Sequence, residues 1–221
     1  MGGGRCMKHN INVRNYISCL FKSISAGIMI GISGYIYLNC DNKYIGSILF
    51  CIGLITICVY SLNLYTGQVG YLIKARHKRK YAMRLLVTLL GNIVGCWAIA
   101  QFPIPQPAMN KLQEIIQVKS IYTALPKSLL CGCMMFLAVD IYKTKGTYIS
   151  IFLCVTGFIL SGMEHSIANS YYLFLLPNKE FLISMPIYII GNAIGAILIC
   201  LVTSIAKVNK KENYNASNNR Q

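Results

Sequence analysis

Residues 44–73 contain no Asp, Glu, Lys or Arg, an uninterrupted run of 30 positions. Residues 23–40, 85–110, 146–163 and 181–206 are equally free of charge. Residues 120–139 carry only Lys127, and 165–178 follow the single Glu164. A hydrocarbon core of roughly 30 Å is crossed by about 20 helical residues, so runs of this length select for membrane helices. The remaining composition agrees. The chain is 55% hydrophobic and 12% charged, where a soluble domain carries about 25% charged residues. Its mean hydropathy of +0.53 excludes both a soluble enzyme and a disordered chain. The fold class read from these runs is an all-α membrane protein.

Two stretches are too long for one helix and too short for two. At 1.5 Å per residue, 44–73 would span roughly 45 Å as a helix. Residues 146–178 are longer still and hold only Glu164. A helix broken within the membrane fits both. The breaks are expected where polar residues and glycine cluster, at Ser61–Gly70 and Ser161–Asn169. Irregular backbone at that depth is tolerated only where protein or a water-filled cavity covers it, which points to a pore or a binding site. Six membrane elements are expected, near 23–40, 44–73, 82–103, 120–141, 147–178 and 181–206. They form a pore domain over 23–206, between an N-terminal segment 1–22 and a tail 207–221.

The net charge of +15 is read as topology information. Of the 21 basic residues, 16 fall in 5–22, 74–84, 143–145 and 207–220, which by the positive-inside rule places both termini in the cytoplasm of a plasma-membrane protein. No nucleic-acid motif accompanies the charge. The ten cysteines sit mostly inside apolar runs with no C-x-x-C pair, so they read as small buried hydrophobes. No metal or cofactor is expected.

Gly91-Asn92-Ile93-Val94-Gly95 recurs as Gly191-Asn192-Ala193-Ile194-Gly195, 100 positions later. Each copy follows a broken stretch. Elements one to three and four to six therefore read as two copies of a three-span unit, which must face opposite ways. Inverted repeats with discontinuous helices are a transporter and channel architecture.

The second break contains Glu164, His165 and Ser166, with Asn169 one turn on. An ionisable residue inside a membrane is a functional-site hypothesis by default. Backbone N–H groups or a helix N-terminus are expected to hold the charge of Glu164. His165 titrates near neutral pH when unperturbed. Thr66 is read as its counterpart in the first half, close enough for a hydrogen bond.

Gly162-Met163-Glu164-His165-Ser166-Ile167-Ala168-Asn169 resembles the signature of the formate/nitrite transporter family in seven of eight positions. Leu64-Tyr65-Thr66-Gly67 and Phe136-Leu137-Ala138-Val139 resemble two further family segments, and both Gly-Asn-x-x-Gly segments match. The resemblance implies an aquaporin-like protomer of six helices, a homopentamer in membrane lipid, and transport of small monovalent weak-acid anions. Formate leads, then nitrite. It implies His165 as the central pore histidine, with Thr66 across the channel. Phe50, Leu54 and Phe158 would form apolar constrictions above and below it, and Met135 would line the pore. Lys119 would attract anions at the vestibule. Two positions depart from the family pattern. Asn63 stands where an acid is usual, and Gly132 where a pore-side Asn is usual.

A bare anion crossing apolar constrictions carries a large desolvation cost. Transport is therefore expected to be proton-coupled, the proton coming from bulk water or through His165. Hydrosulfide or another short-chain acid anion remains an alternative cargo, and a non-transporting sensor or subunit an alternative role. An embedded hydrolase is not expected, because H-E-x-x-H is absent and His9 and His77 lie in basic segments.

Overall fold

The computed structural model of the chain describes residues 3–218, with side chains described over 15–206. These residues form ten α-helices and one 3-10 segment, with no strand among them. Helix α1 spans Gly3–Asn39, and α2 (Lys43–Leu49) and α3 (Cys51–Val59) follow with only Phe50 between them. After a non-helical stretch at 60–64, α4 (Tyr65–Gln68) passes into the 3-10 segment Val69–Lys74. Then come α5 (Lys78–Ala100), α6 (Gln106–Gln117), α7 (Ile121–Lys145) and α8 (Ile149–Leu160). A second non-helical stretch at 161–165 leads to α9 (Ser166–Leu175) and α10 (Lys179–Asn218).

Four helical stretches, Asn15–Asn39, Lys78–Ala100, Ile121–Lys145 and Lys179–Ala206, are long and apolar enough to cross a membrane. Lys43–Val59 and Ile149–Leu160 are shorter apolar helices, ending where the two breaks begin. Helix pairs α1/α5 and α7/α10 make the most extensive packing, and α8 lies against α2, α3 and α7. The outer faces stay apolar: Leu86, Leu90, Val94 and Trp97 on α5 and Ile190, Ile194, Leu198 and Leu201 on α10 are exposed at helical spacing. So large an exposed apolar surface needs lipid or another protein against it.

Both breaks are shorter than the sequence suggests, because helix resumes at Tyr65 and at Ser166, well before Gly70 and Asn169. Helix α6 is an addition to the expected elements. Its Ala108, Leu112 and Ile116 are buried at a spacing of four. That amphipathic stripe supplies a buried face without the hydropathy of a span.

The two broken stretches share one construction, offset by 101 positions. Helices α3 and α8 end with Ser61 and Gly162 in the left-handed region, at φ 51° and 61°. There Leu62 N–H donates to the Ile57 carbonyl and Met163 N–H to the Phe158 carbonyl, at 2.9 and 3.0 Å. A glycine adopts this conformation without strain and a serine does not. Each break is then held by one buried asparagine. Asn92 Nδ2 donates to the Ser23 and Asn63 carbonyls at 2.7 and 2.8 Å, and Asn92 Oδ1 accepts from Tyr65 N–H at 2.9 Å. Asn192 Nδ2 donates to the Ser128 and Glu164 carbonyls, and Asn192 Oδ1 accepts from Ser166 N–H, all at 2.8 Å. One amide thus satisfies two main-chain groups that a broken helix leaves bare, and ties them to a carbonyl of the facing unbroken helix.

The glycines flanking these asparagines allow the close approach. A methyl group added at Gly91 or Gly191 would collide with Ser23 or Ser128, respectively. Gly27 and Gly132 face the Asn92 and Asn192 backbones in the same way. Gly132 is therefore a helix-contact glycine. A side chain there would strike the Asn192 carbonyl.

Asn192→Leu is expected to leave the Glu164 carbonyl and the Ser166 N–H bare, costing roughly 2–4 kcal/mol at about 1–2 kcal/mol per group. A lowered thermal unfolding midpoint in detergent checks this, and Asn92→Leu is expected to lower it comparably.

Candidate functional site

His165 is the N-cap of α9. Its ring is buried, and its Nδ1 accepts the Ala168 N–H at 3.0 Å. A nitrogen that accepts a main-chain N–H carries no proton of its own. The proton of the neutral ring therefore sits on Nε2, which lies 2.9 Å from Thr66 Oγ1. The Thr66 contact expected from the sequence is present, and Thr66 is fully buried. The two are not symmetry counterparts, however. The asparagine bonds pair Tyr65 with Ser166, so the residue corresponding to His165 is Leu64, the N-cap of α4. The imidazole is present in one half only.

Phe158 stacks on the His165 ring with centroids 5.5 Å apart, and Phe50 meets Phe158 edge-on at 6.0 Å. Phe50 lies where α2 gives way to α3, and Phe158 lies in the last turn of α8. Phe158 meets the imidazole and Phe50 meets Phe158, so the two rings form one continuous apolar cluster. Leu54 and Met135 are also buried in the core. Leu64 and Gly67 line a cavity of about 300 Å³ together with Ser61, Val139 and Lys143.

Glu164 is held differently from the expectation. Lys119 Nζ forms an ion pair with Glu164 Oε2, and Asn169 Nδ2 donates to the same oxygen at 2.7 Å. Lys119 Nζ also reaches Asn169 Oδ1 at 3.3 Å and lies 4.9 and 5.6 Å from the Phe181 and Tyr188 ring centres. A lysine side chain, not backbone N–H groups, thus balances the carboxylate. Lys119 in turn is a paired cation beside two aromatic rings. The sequence signal that could have found this pair is the single acid of the 146–178 stretch and the one lysine between α6 and α7.

Asn63 occupies the place of Glu164 in the first half. Its N–H donates to the Lys22 carbonyl at 3.3 Å, as that of Glu164 does to the Lys127 carbonyl at 3.4 Å. Gln68 Nε2 donates to Asn63 Oδ1 at 2.9 Å, as Asn169 does to Glu164. Asn63 Nδ2 donates to the Cys19 carbonyl at 3.3 Å. The same side-chain pair is built twice, once with a carboxylate and once without.

An all-helical apolar chain with two broken helices, meeting at a buried polar pair, is a multi-pass membrane protein of the transporter and channel class, not an enzyme. A family model described as formate/nitrite transporter matches residues 7–205, and the chain belongs to that family. The Plasmodium vivax formate-nitrite transporter is 25% identical, over 76% of this chain and 68% of that protein. The Escherichia coli (strain K12) nitrite transporter NirC is 26% identical, over 72% and 68%. Among solved structures, an FNT family ion channel and a pentameric formate channel with formate bound each superpose with a TM-score of 0.69 at 20% identity. They cover 87% and 88% of this chain, and 89% and 96% of their own. These two establish the fold.

Lys119→Met is expected to leave a buried carboxylate uncompensated and to destabilise the protein by roughly 3–5 kcal/mol. The double change Lys119→Met with Glu164→Gln is expected to recover most of the loss. Unfolding midpoints of the two single variants and the double variant check the coupling.

Proposed function

We propose that this chain transports small monovalent anions of weak acids, formate first and nitrite next, and that each anion takes up one proton and crosses the apolar section as the neutral acid. The observation that carries this reading is the Phe50–Phe158–His165 cluster: a buried imidazole stacked on one aromatic ring, which a second ring meets edge-on. A bare anion entering such a cluster would lose its water without a counter-charge. As the dielectric falls the anion's own proton affinity rises, and the acid form enters at far lower cost.

The proton comes from bulk water. Nδ1 of His165 is committed to the Ala168 N–H, so a doubly protonated ring would have to give up the cap of α9. The neutral ring offers Nε2–H as a donor, shared with Thr66, and this bond can turn toward an arriving oxygen. The N-terminus of α9 adds a positive field at the same point. The names of the relatives, formate-nitrite and nitrite transporters, favour this class of cargo. The pentameric formate channel favours a homopentamer with one pathway per protomer. The six membrane crossings, the inverted orientation of the two halves and the cytoplasmic termini rest on the charge distribution and the paired breaks.

Proteoliposomes loaded with a pH dye test the reading against protein-free vesicles. Addition of formate is expected to acidify the lumen faster with protein, and nitrite to do so next. Hydrosulfide or acetate leading instead would move the assignment to another weak acid. No protein-dependent excess for any of the four would favour the sensor or subunit role. In His165→Asn the flux is expected to fall but still to rise as external pH falls, in step with the acid fraction. Loss of that pH dependence would place the proton on His165.

A further inference from the structure

A second, larger cavity of about 740 Å³ opens beside the first break, between α1, the 3-10 segment and α5. It is separate from the 300 Å³ cavity that Leu64 and Gly67 line, and the 60–68 segment is the wall between them. Lys22, Lys74, Arg76, Lys80 and Arg84 line it, and Asn63 forms part of its floor. No carboxylate is among the described residues that line it. Orientation in the membrane requires basic residues near this end of the helices. It does not require them to converge on one cavity.

The comparison between the halves says what is missing. In the second half Glu164 supplies a negative charge, bound by Asn169 and neutralised by Lys119. In the first half Asn63 and Gln68 repeat the side-chain pair without the charge, and the cavity around Asn63 gathers five cations. Such a concentration of like charge in a partly enclosed space is self-repulsive and focuses anions strongly. A single monovalent acid is small for the volume and leaves most of the charge unbalanced. A phosphate group carries up to two negative charges and several acceptor oxygens, which suits both lysine and the arginine fork.

We propose that this cavity binds a phosphate-bearing anion, and that its occupancy sets the position of the 60–68 segment and thereby the flux. Asn63 and Gln68 link the cavity floor to α4, which carries Thr66. Its binding assay does not depend on the cargo assigned above.

The test uses purified full-length protein in nanodiscs of phosphatidylcholine, titrated with inorganic phosphate against chloride at matched ionic strength. Saturable phosphate binding is expected, weakened at least tenfold in Asn63→Asp, where the new carboxylate supplies the charge. The double change Lys74→Ala with Arg76→Ala is expected to weaken it similarly and tests the site independently, should Asn63→Asp fold poorly. Nanodiscs containing phosphatidylglycerol separate the two sources. Saturation by soluble phosphate in neutral discs assigns a soluble ligand, and retention of phosphatidylglycerol alone, sensitive to the same variants, assigns a lipid headgroup. Phosphate no better than chloride together with no retained lipid, or binding untouched by either variant, overturns the site. In proteoliposomes, luminal and external phosphate is expected to change protein-dependent flux at least twofold in the native protein and not in the Lys74/Arg76 variant. Binding without that change overturns the regulatory half.

Discussion

Two buried asparagine amides carry the consequence of breaking two helices in an apolar surrounding. Ending a helix there exposes carbonyls and N–H groups that water cannot reach, and each bare group costs free energy comparable to a lost hydrogen bond. Asn92 and Asn192 each satisfy two such groups with one planar side chain and anchor it on a carbonyl of the facing helix. The helix pairs α1/α5 and α7/α10 can approach closely because glycine stands where each asparagine backbone meets its neighbour. The positions of Leu64, Tyr65, Thr66, Glu164, His165 and Ser166 all follow from these two clamps.

The symmetry of the clamps makes the asymmetry of what they hold informative. Offset by 101 positions, Leu64 matches His165, and Asn63 matches Glu164. One half therefore contributes an imidazole and an ion pair, and the other an aliphatic side chain and a neutral amide. Thr66 lies two positions beyond its half's cap, Leu64, and reaches across to Nε2. A symmetric scaffold thus holds a polar site that is chemically one-sided. The neutral tautomer follows from the cap geometry of His165, not from any charge placed near it.

Much of this was legible in the chain itself. Charge-free runs of excess length can only be broken helices, and the repeated Gly-Asn-x-x-Gly pentads marked the two halves. His165 and Thr66 were found because polar residues are rare within those runs. Other features depended on distances that sequence spacing does not encode. The Lys119–Glu164 pair spans 45 positions and needs α6 to fold back. Helix α6 itself lacks the hydropathy of a span, and its stripe of Ala108, Leu112 and Ile116 is too short a pattern to stand out. The close approach of Gly132 to the Asn192 backbone was not legible, because a glycine that admits a neighbouring backbone looks like any other in a string of letters. Thr66 was matched to His165 by its place in the break, and only the hydrogen bonds of Asn92 and Asn192 gave the register.

The central claim is that cargo passes the Phe50–Phe158–His165 cluster without net charge. Its most direct test is the voltage dependence of transport. Formate flux would be measured in proteoliposomes whose membrane potential is clamped with potassium and valinomycin, at equal pH on both sides. Passage as the neutral acid predicts a rate and an end-point independent of the imposed potential, with no accompanying current. A flux that follows the potential, with one negative charge moved per formate, would contradict the account and require a compensated anion path through the cluster.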